Sequence, residues 1–151
     1  MELSEFQKTI TDIVASKGFK KKGSYYYLES PEVYVIINLQ KSNYDNTDYY
    51  IGYGYIFKEI VDEPINLSFQ HWHTQSRFCI NINGKDNKPI NIKDVVRSKL
   101  INSLGKEIEQ KITSYLTVES FKKKLEEEPE LLYTIYIEAK KLFGLIKYNN
   151  L

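Results

Sequence analysis

The chain has 151 residues and a formal net charge of +1, which fits one domain, 1–151, and argues against a dedicated polyanion binder. With 42% hydrophobic and 14% aromatic residues it can build a core without metals or disulfides. Its longest wholly apolar run, Val33-Tyr34-Val35-Ile36-Ile37, is far too short for a membrane span.

Lys, Ile, Tyr and Asn together supply 61 of the 151 residues, a bias that codon drift in an AT-rich genome produces, so a tyrosine here is not by itself a contact. Arginine occurs only at Arg77 and Arg97. The start, Met1-Glu2-Leu3-Ser4-Glu5, lacks the basic-then-apolar pattern of a secretory leader, and Cys79 stands alone, so the expected location is the cytoplasm.

The first predicted element is a helix. Ser4 and Gln7 have the spacing of a capping box, and Leu3, Phe6, Ile10, Ile13 and Val14 recur on one helical face. Gly18 suits a left-handed cap, with Phe19 closing back on Val14, and Lys20-Lys21-Lys22-Gly23 reads as a charged connector. The period then becomes two. Tyr25 to Leu28 forms one strand, and Ser30-Pro31-Glu32 turns into a second. There Val33, Val35, Ile37 and Leu39 share a face opposite Tyr34, Ile36, Asn38 and Gln40. A third strand sets Tyr49, Ile51, Tyr53, Tyr55 and Phe57 on one face and Gly52 and Gly54 on the other, where a helix is expected to press close. A fourth runs from Arg77 to Asn83, a turn follows at Asn83-Gly84 with Asp86-Asn87, and Pro89 to Ile92 makes a short edge strand.

The last third is helical. Leu100, Leu104, Ile108, Ile112 and Leu116 step by four, with Ile101 and Tyr115 widening the stripe. Thr117 caps a second helix carrying Phe121 and Leu125, and the charges from Lys122 to Glu128 read as its solvated face. Pro129 opens a third helix with Ile135, Ala139 and Phe143 inward and Gly144 as its cap. The expected fold is α+β: an N-terminal helix, an antiparallel sheet of four or five strands, and C-terminal helices packed on one face.

No catalytic constellation emerges. His71 and His73 would share a strand face but lack a third ligand, so no metal and no cofactor are expected. Cys79 lies between Phe78 and Ile80 and reads as a small hydrophobe rather than a nucleophile. Lys20 to Tyr27 combines cations with rings that could stack on unpaired bases, yet the neutral charge balance disfavours nucleic acid. Tyr53 and Tyr55, with Tyr49, form either a partner-binding face or a core face with hydroxyls at its rim. Arg77, near His73, serves either as a clamp for a carboxylate or phosphate or in an internal pair with an acid.

Several blocks, Gly18-Phe19-Lys20-Lys21-Lys22-Gly23, Tyr26-Tyr27, Ile37-Asn38-Leu39-Gln40-Lys41-Ser42 and Tyr49-Tyr50-Ile51, together with His73, Arg77 and Ala139 to Gly144, resemble the bacterial domain-of-unknown-function 4304 family. The resemblance implies fold and origin, carries no catalytic assignment, and directs attention to Gln40, Ser42, His73 and Arg77. The leading expectation is a protein-binding module in an accessory or toxin-neutralising role, with a protein partner or a second copy of itself and no membrane. The alternatives are a site for a small anionic ligand, or an enzyme, built from Gln40, Ser42, His73 and Arg77, and weak single-strand nucleic-acid binding through Lys20 to Tyr27.

Overall fold

Residues 1–82, 84–87 and 89–144 are described by the computed structural model, with backbone alone for 85–87. Helix α1 (Leu3–Ser16) is followed by strands β1 (Lys20–Lys22), β2 (Tyr25–Glu29), β3 (Val33–Lys41) and β4 (Asp48–Phe57). Short strands come next: β5 (Ser76–Arg77), β6 (Ile80–Ile82), β7 (Lys85–Asn87) and β8 (Ile90–Asn91). The chain ends in helices α2 (Arg97–Ile108), α3 (Val118–Glu127) and α4 (Ile137–Leu142). Strands β1 to β5 pair antiparallel in chain order, β8 joins the far edge of β4, and β6 and β7 form a separate hairpin. The α+β class stands, with six strands in the main sheet rather than four or five.

Alternation decides the faces. Val33, Val35, Ile37, Tyr49, Ile51, Tyr53, Tyr55 and Phe57 all lie in the main core with Phe6, Ile10, Leu100, Leu104, Phe121 and Ala139. The tyrosine face is therefore packed beneath helices: Tyr55 is 0% and Tyr53 4% exposed. The opposite face carries a second, smaller core in which Ile36 and Ile56 meet Leu67 and Trp72. Its cover is the segment from Val61 to Trp72, not a helix. Gly54 is small because the Trp72 ring and the Thr74 carbonyl lie on it: an added Cβ would stand 2.9 Å from Trp72 Cδ2 and nearer still to both Cε3 and that carbonyl oxygen.

Several expectations change in detail. Helix α1 begins at Leu3 after Glu2 with no side-chain cap, so Ser4 lies inside the first turn and forms no capping box; Leu3 is 38% exposed. Gly18 does take the left-handed conformation (φ +91°), and Phe19 N–H donates to the Val14 carbonyl at 3.0 Å. Lys20 to Lys22 is an edge strand rather than a connector; an exposed row of lysines there discourages pairing with another chain. The expected fourth strand breaks at Phe78-Cys79, its first part in the sheet and its second in the hairpin. Asp86 and Asn87 belong to β7 rather than a turn, while Asn83 falls outside the described residues.

Beyond Ile108 the helix widens into a π segment, Glu109–Thr113. A four-residue stride drifts round an α-helix of 3.6 residues per turn, and the wider turn keeps Ile112 buried at 0% exposure. Pro129 opens a 3₁₀ turn, Pro129–Thr134, and Ile135 then bridges Thr74 before α4, so the expected third helix is two pieces. Thr117 caps α3 as expected, in a capping box with Ser120. No helix among the described residues is long and apolar enough to cross a membrane.

Candidate functional site

Register brings the polar residues together. Asn38 pairs with Gly52, and Gly52 with Arg77, so these three lie in one row on the face away from the main core. Gln40 pairs with Tyr50 in the next row. Arg77 Nε donates to Gln40 Oε1 at 3.0 Å, and Gln40 Nε2 donates to Asn38 Oδ1 at 3.0 Å. The Arg77 guanidinium lies over the Tyr50 ring at 3.7 Å from its centroid. Gly52 makes the arrangement sterically feasible: an added Cβ would sit 2.6 Å from Asn38 Oδ1 and nearer still to Gln40 Nε2. The two amides lie flat across a strand because nothing projects from it.

The orientation of this chain of hydrogen bonds is forced. A guanidinium only donates, so Gln40 must turn its oxygen to Arg77 and its nitrogen to Asn38. Asn38 must in turn present its oxygen to Gln40 and keep its nitrogen outward. Each amide oxygen accepts one hydrogen bond within the network and keeps a second lone pair, while the donors left over are Asn38 Nδ2, the second Nε2 hydrogen of Gln40 and the terminal nitrogens of Arg77. None of these has an acceptor, and Arg77 forms no ion pair, among the described residues. The internal acid pair weighed for Arg77 from the sequence is absent there; an amide and a ring take its place.

His73 and Ser42 do not join this array. His73 is 8% exposed, stacks on Phe57 at 5.7 Å between centroids, and accepts the Phe57 N–H at Nδ1 (2.9 Å). Thr74 Oγ1 accepts the Tyr55 N–H at 3.0 Å in the same manner. These two side chains complete the edge of β4 where no strand pairs with it. Burial holds the His73 imidazole below its ordinary value, only partly opposed by Glu138. Phe57 stands five residues along β4 from Gly52, about 16 Å at ~3.3 Å per residue, so His73 and Arg77 cannot grip one small ligand. Ser42 accepts the Tyr44 N–H at 3.1 Å and shapes the β3–β4 loop. His71 sits exposed on a 3₁₀ turn, and no three metal-ligating side chains gather among the described residues.

Beside the array a cleft of about 500 Å³ follows the short edge strand β5. Gln40, Phe69 and Arg77 line it from the outer face, Ser76 from the edge, and Tyr53 and Glu128 from the helix side. Cys79 also borders it, half-buried, its backbone N–H held by Glu107 Oε1 at 2.6 Å.

Behind this cleft lies a charge that sequence reasoning assigned to solvent. Lys124 is 2% exposed; its Nζ donates to the Lys111 carbonyl at 2.6 Å and stands 4.9 Å from the Tyr115 ring and 5.7 Å from that of Tyr53. The ammonium thus caps the carbonyl end of the π segment. Burial pushes its pKa down to about 8, with Glu128 and Glu107 acting in the opposite direction. Burial also raises the Tyr53 and Tyr55 hydroxyls, and the Tyr55 oxygen has no hydrogen-bond partner among the described residues. The one available signal for Lys124 was its position one turn from Phe121 on the apolar face of α3, which the surrounding charge run masked.

The architecture is that of a helix-backed antiparallel sheet with an open polar patch at Asn38, Gln40 and Arg77. A family model, Domain of unknown function (DUF4304), matches residues 10–118, and the chain belongs to that family. No curated protein and no solved structure matches it.

Proposed function

We propose that this chain is a cytoplasmic binding module whose open sheet face recognises an oxyanion, a carboxylate or phosphate group, through Arg77, Gln40 and Asn38. The observation that carries the reading is the excess of unpaired donors in the array, with the cationic Arg77 guanidinium at its end. Carboxylates and phosphates are acceptor-only, and a planar guanidinium with one nitrogen already anchored presents its remaining edge in a fixed direction. Stacking on Tyr50 reduces the entropy lost on binding, because the side chain is ordered beforehand. A protein-partner reading drew its motive from the tyrosine face, which is packed under the helices. The outer-face array carries the assignment instead, and a protein could present the same anion as a side chain or C-terminus.

The test is an NMR titration of the Asn38 and Gln40 side-chain amides and the Arg77 Nε–H with acetate and, separately, inorganic phosphate. Saturable shifts in the native chain that disappear in Arg77→Gln are expected. Equal responses of the two proteins to both anions would overturn the reading.

A further inference from the structure

The cleft beside Arg77 is not uniformly basic. Its outer-face wall carries the guanidinium, whereas its helix-side wall carries Glu128 and Glu130, where the chain leaves α3. Neither glutamate forms an ion pair among the described residues, although Lys111 lines the same cleft. Between the charges the lining is mixed: Gln75, Ser76 and Thr134 stand beside the side chains of Tyr53, Leu131 and Phe69, the last 39% exposed and packed edge-on to Trp72. A cleft with the guanidinium at one wall, carboxylates at the other and Phe69 and Leu131 among its lining is matched by a ligand that carries an anion, an apolar stem and a cation.

We infer that the cleft along β5 takes a zwitterionic ligand, a carboxylate joined through an aliphatic stem to an ammonium or guanidinium group, as at the C-terminal end of a peptide finishing in a basic residue. This rests on the anion reading of Arg77 and adds the second charge. The carboxylate accepts from Arg77 and Gln40, the stem lies against Phe69 and Leu131, and the cation meets Glu128 and Glu130. A volume of about 500 Å³ is ample for a single such residue and falls within the range of small-molecule sites.

The experiment compares Nα-acetyl-lysine with Nα-acetylnorleucine, which shares the carboxylate and the stem but lacks the ammonium. Calorimetric titration is made against the native chain, Glu128→Gln/Glu130→Gln and Arg77→Gln. The expected result is a preference of about fivefold for the lysine derivative, the size of a good partly exposed ion pair. That preference should vanish in the double glutamine variant, and both ligands should be lost in Arg77→Gln. Equal affinity for the two ligands, or a preference that survives in the double variant, overturns the inference and leaves the anion site standing. Absence of any Arg77-dependent binding of either ligand overturns both.

Discussion

The buried ammonium of Lys124 makes the stability of this fold depend on pH in an unusual direction. Below pH 8 the side chain is charged in both folded and unfolded chains, and the folded chain bears the full cost of burying it. Between about 8 and its ordinary value of 10.5 the folded chain has released the proton while the unfolded chain still holds it. The unfolded state then binds more protons, so stability rises with pH. The gap between the two values corresponds to a ceiling of about 3 kcal/mol, of which about 2 kcal/mol falls between pH 7.5 and 9.5. Above about pH 10 the sign reverses, because Tyr53 and Tyr55, both raised by burial, ionise more readily in the unfolded chain. The assay is urea unfolding at pH 7.5 and 9.5 for the native chain and for Lys124→Met, which keeps the apolar stem. The variant also removes the donor to the Lys111 carbonyl, but that loss is common to both pH values and cancels in the difference. The native chain should gain about 2 kcal/mol more than the variant over this interval. Identical pH profiles would refute the buried-charge argument.

The two glycines of β4 should separate folding from binding. Gly54→Ala drives a methyl into the Thr74 backbone and the Trp72 ring and should cost at least about 2–3 kcal/mol in chemical denaturation. Gly52→Ala meets only the ends of two flexible amides and should cost under about 1 kcal/mol while abolishing the anion-induced shifts of Gln40. His73, held below its ordinary value by burial, binds protons more readily when unfolded, so its contribution is lost as pH falls through about 6.5; His73→Gln should flatten the acid side of the stability profile. Thr117→Ala should lower the unfolding free energy by about 1 kcal/mol through loss of the α3 cap, leaving anion binding unchanged.

Periodicity made the helix-facing surface of the sheet readable from the chain: the odd positions of Val33 to Ile37 and Tyr49 to Phe57 are the residues that meet α1, α2 and α3. It could not say what covers the other face, because the segment from Val61 to Trp72 has no regular period and packs through Leu67 and Trp72, whose indole Nε1 donates to the Leu67 carbonyl at 2.9 Å. The pair of glycines on that face was visible, but each answers to a different neighbour: an indole and a backbone carbonyl over Gly54, two amides over Gly52. Telling them apart requires the register of three strands. The same holds for the site. Gln40 and Arg77 were selected on composition and family pattern, yet Tyr50 and Asn38, which orient them, sat among many tyrosines and asparagines with nothing local to mark them. Lys124 and Glu107 were hidden for a different reason. Charged residues in helices are usually solvated, and their burial depends on the π segment and the irregular stretch after β5 that approach from elsewhere in the chain.

Arginine scarcity acquires a physical meaning in this arrangement. Apart from the exposed Arg97, the solvated cations of the chain are lysines, as along β1, where Lys20, Lys21 and Lys22 guard an edge by charge. At position 77 the side chain must hold Gln40 with one nitrogen, lie flat on Tyr50 and still present donors outward. A lysine ammonium has three donors but no planar face, so it could hold Gln40 and not also lie flat on Tyr50 with its donors in a fixed fork. The demand arises at an edge because β5 is two residues long. Around so short a strand the two faces of the sheet are close neighbours, and a ligand can touch the outer-face donors and the helix-side carboxylates together. A longer β5 would screen one set from the other.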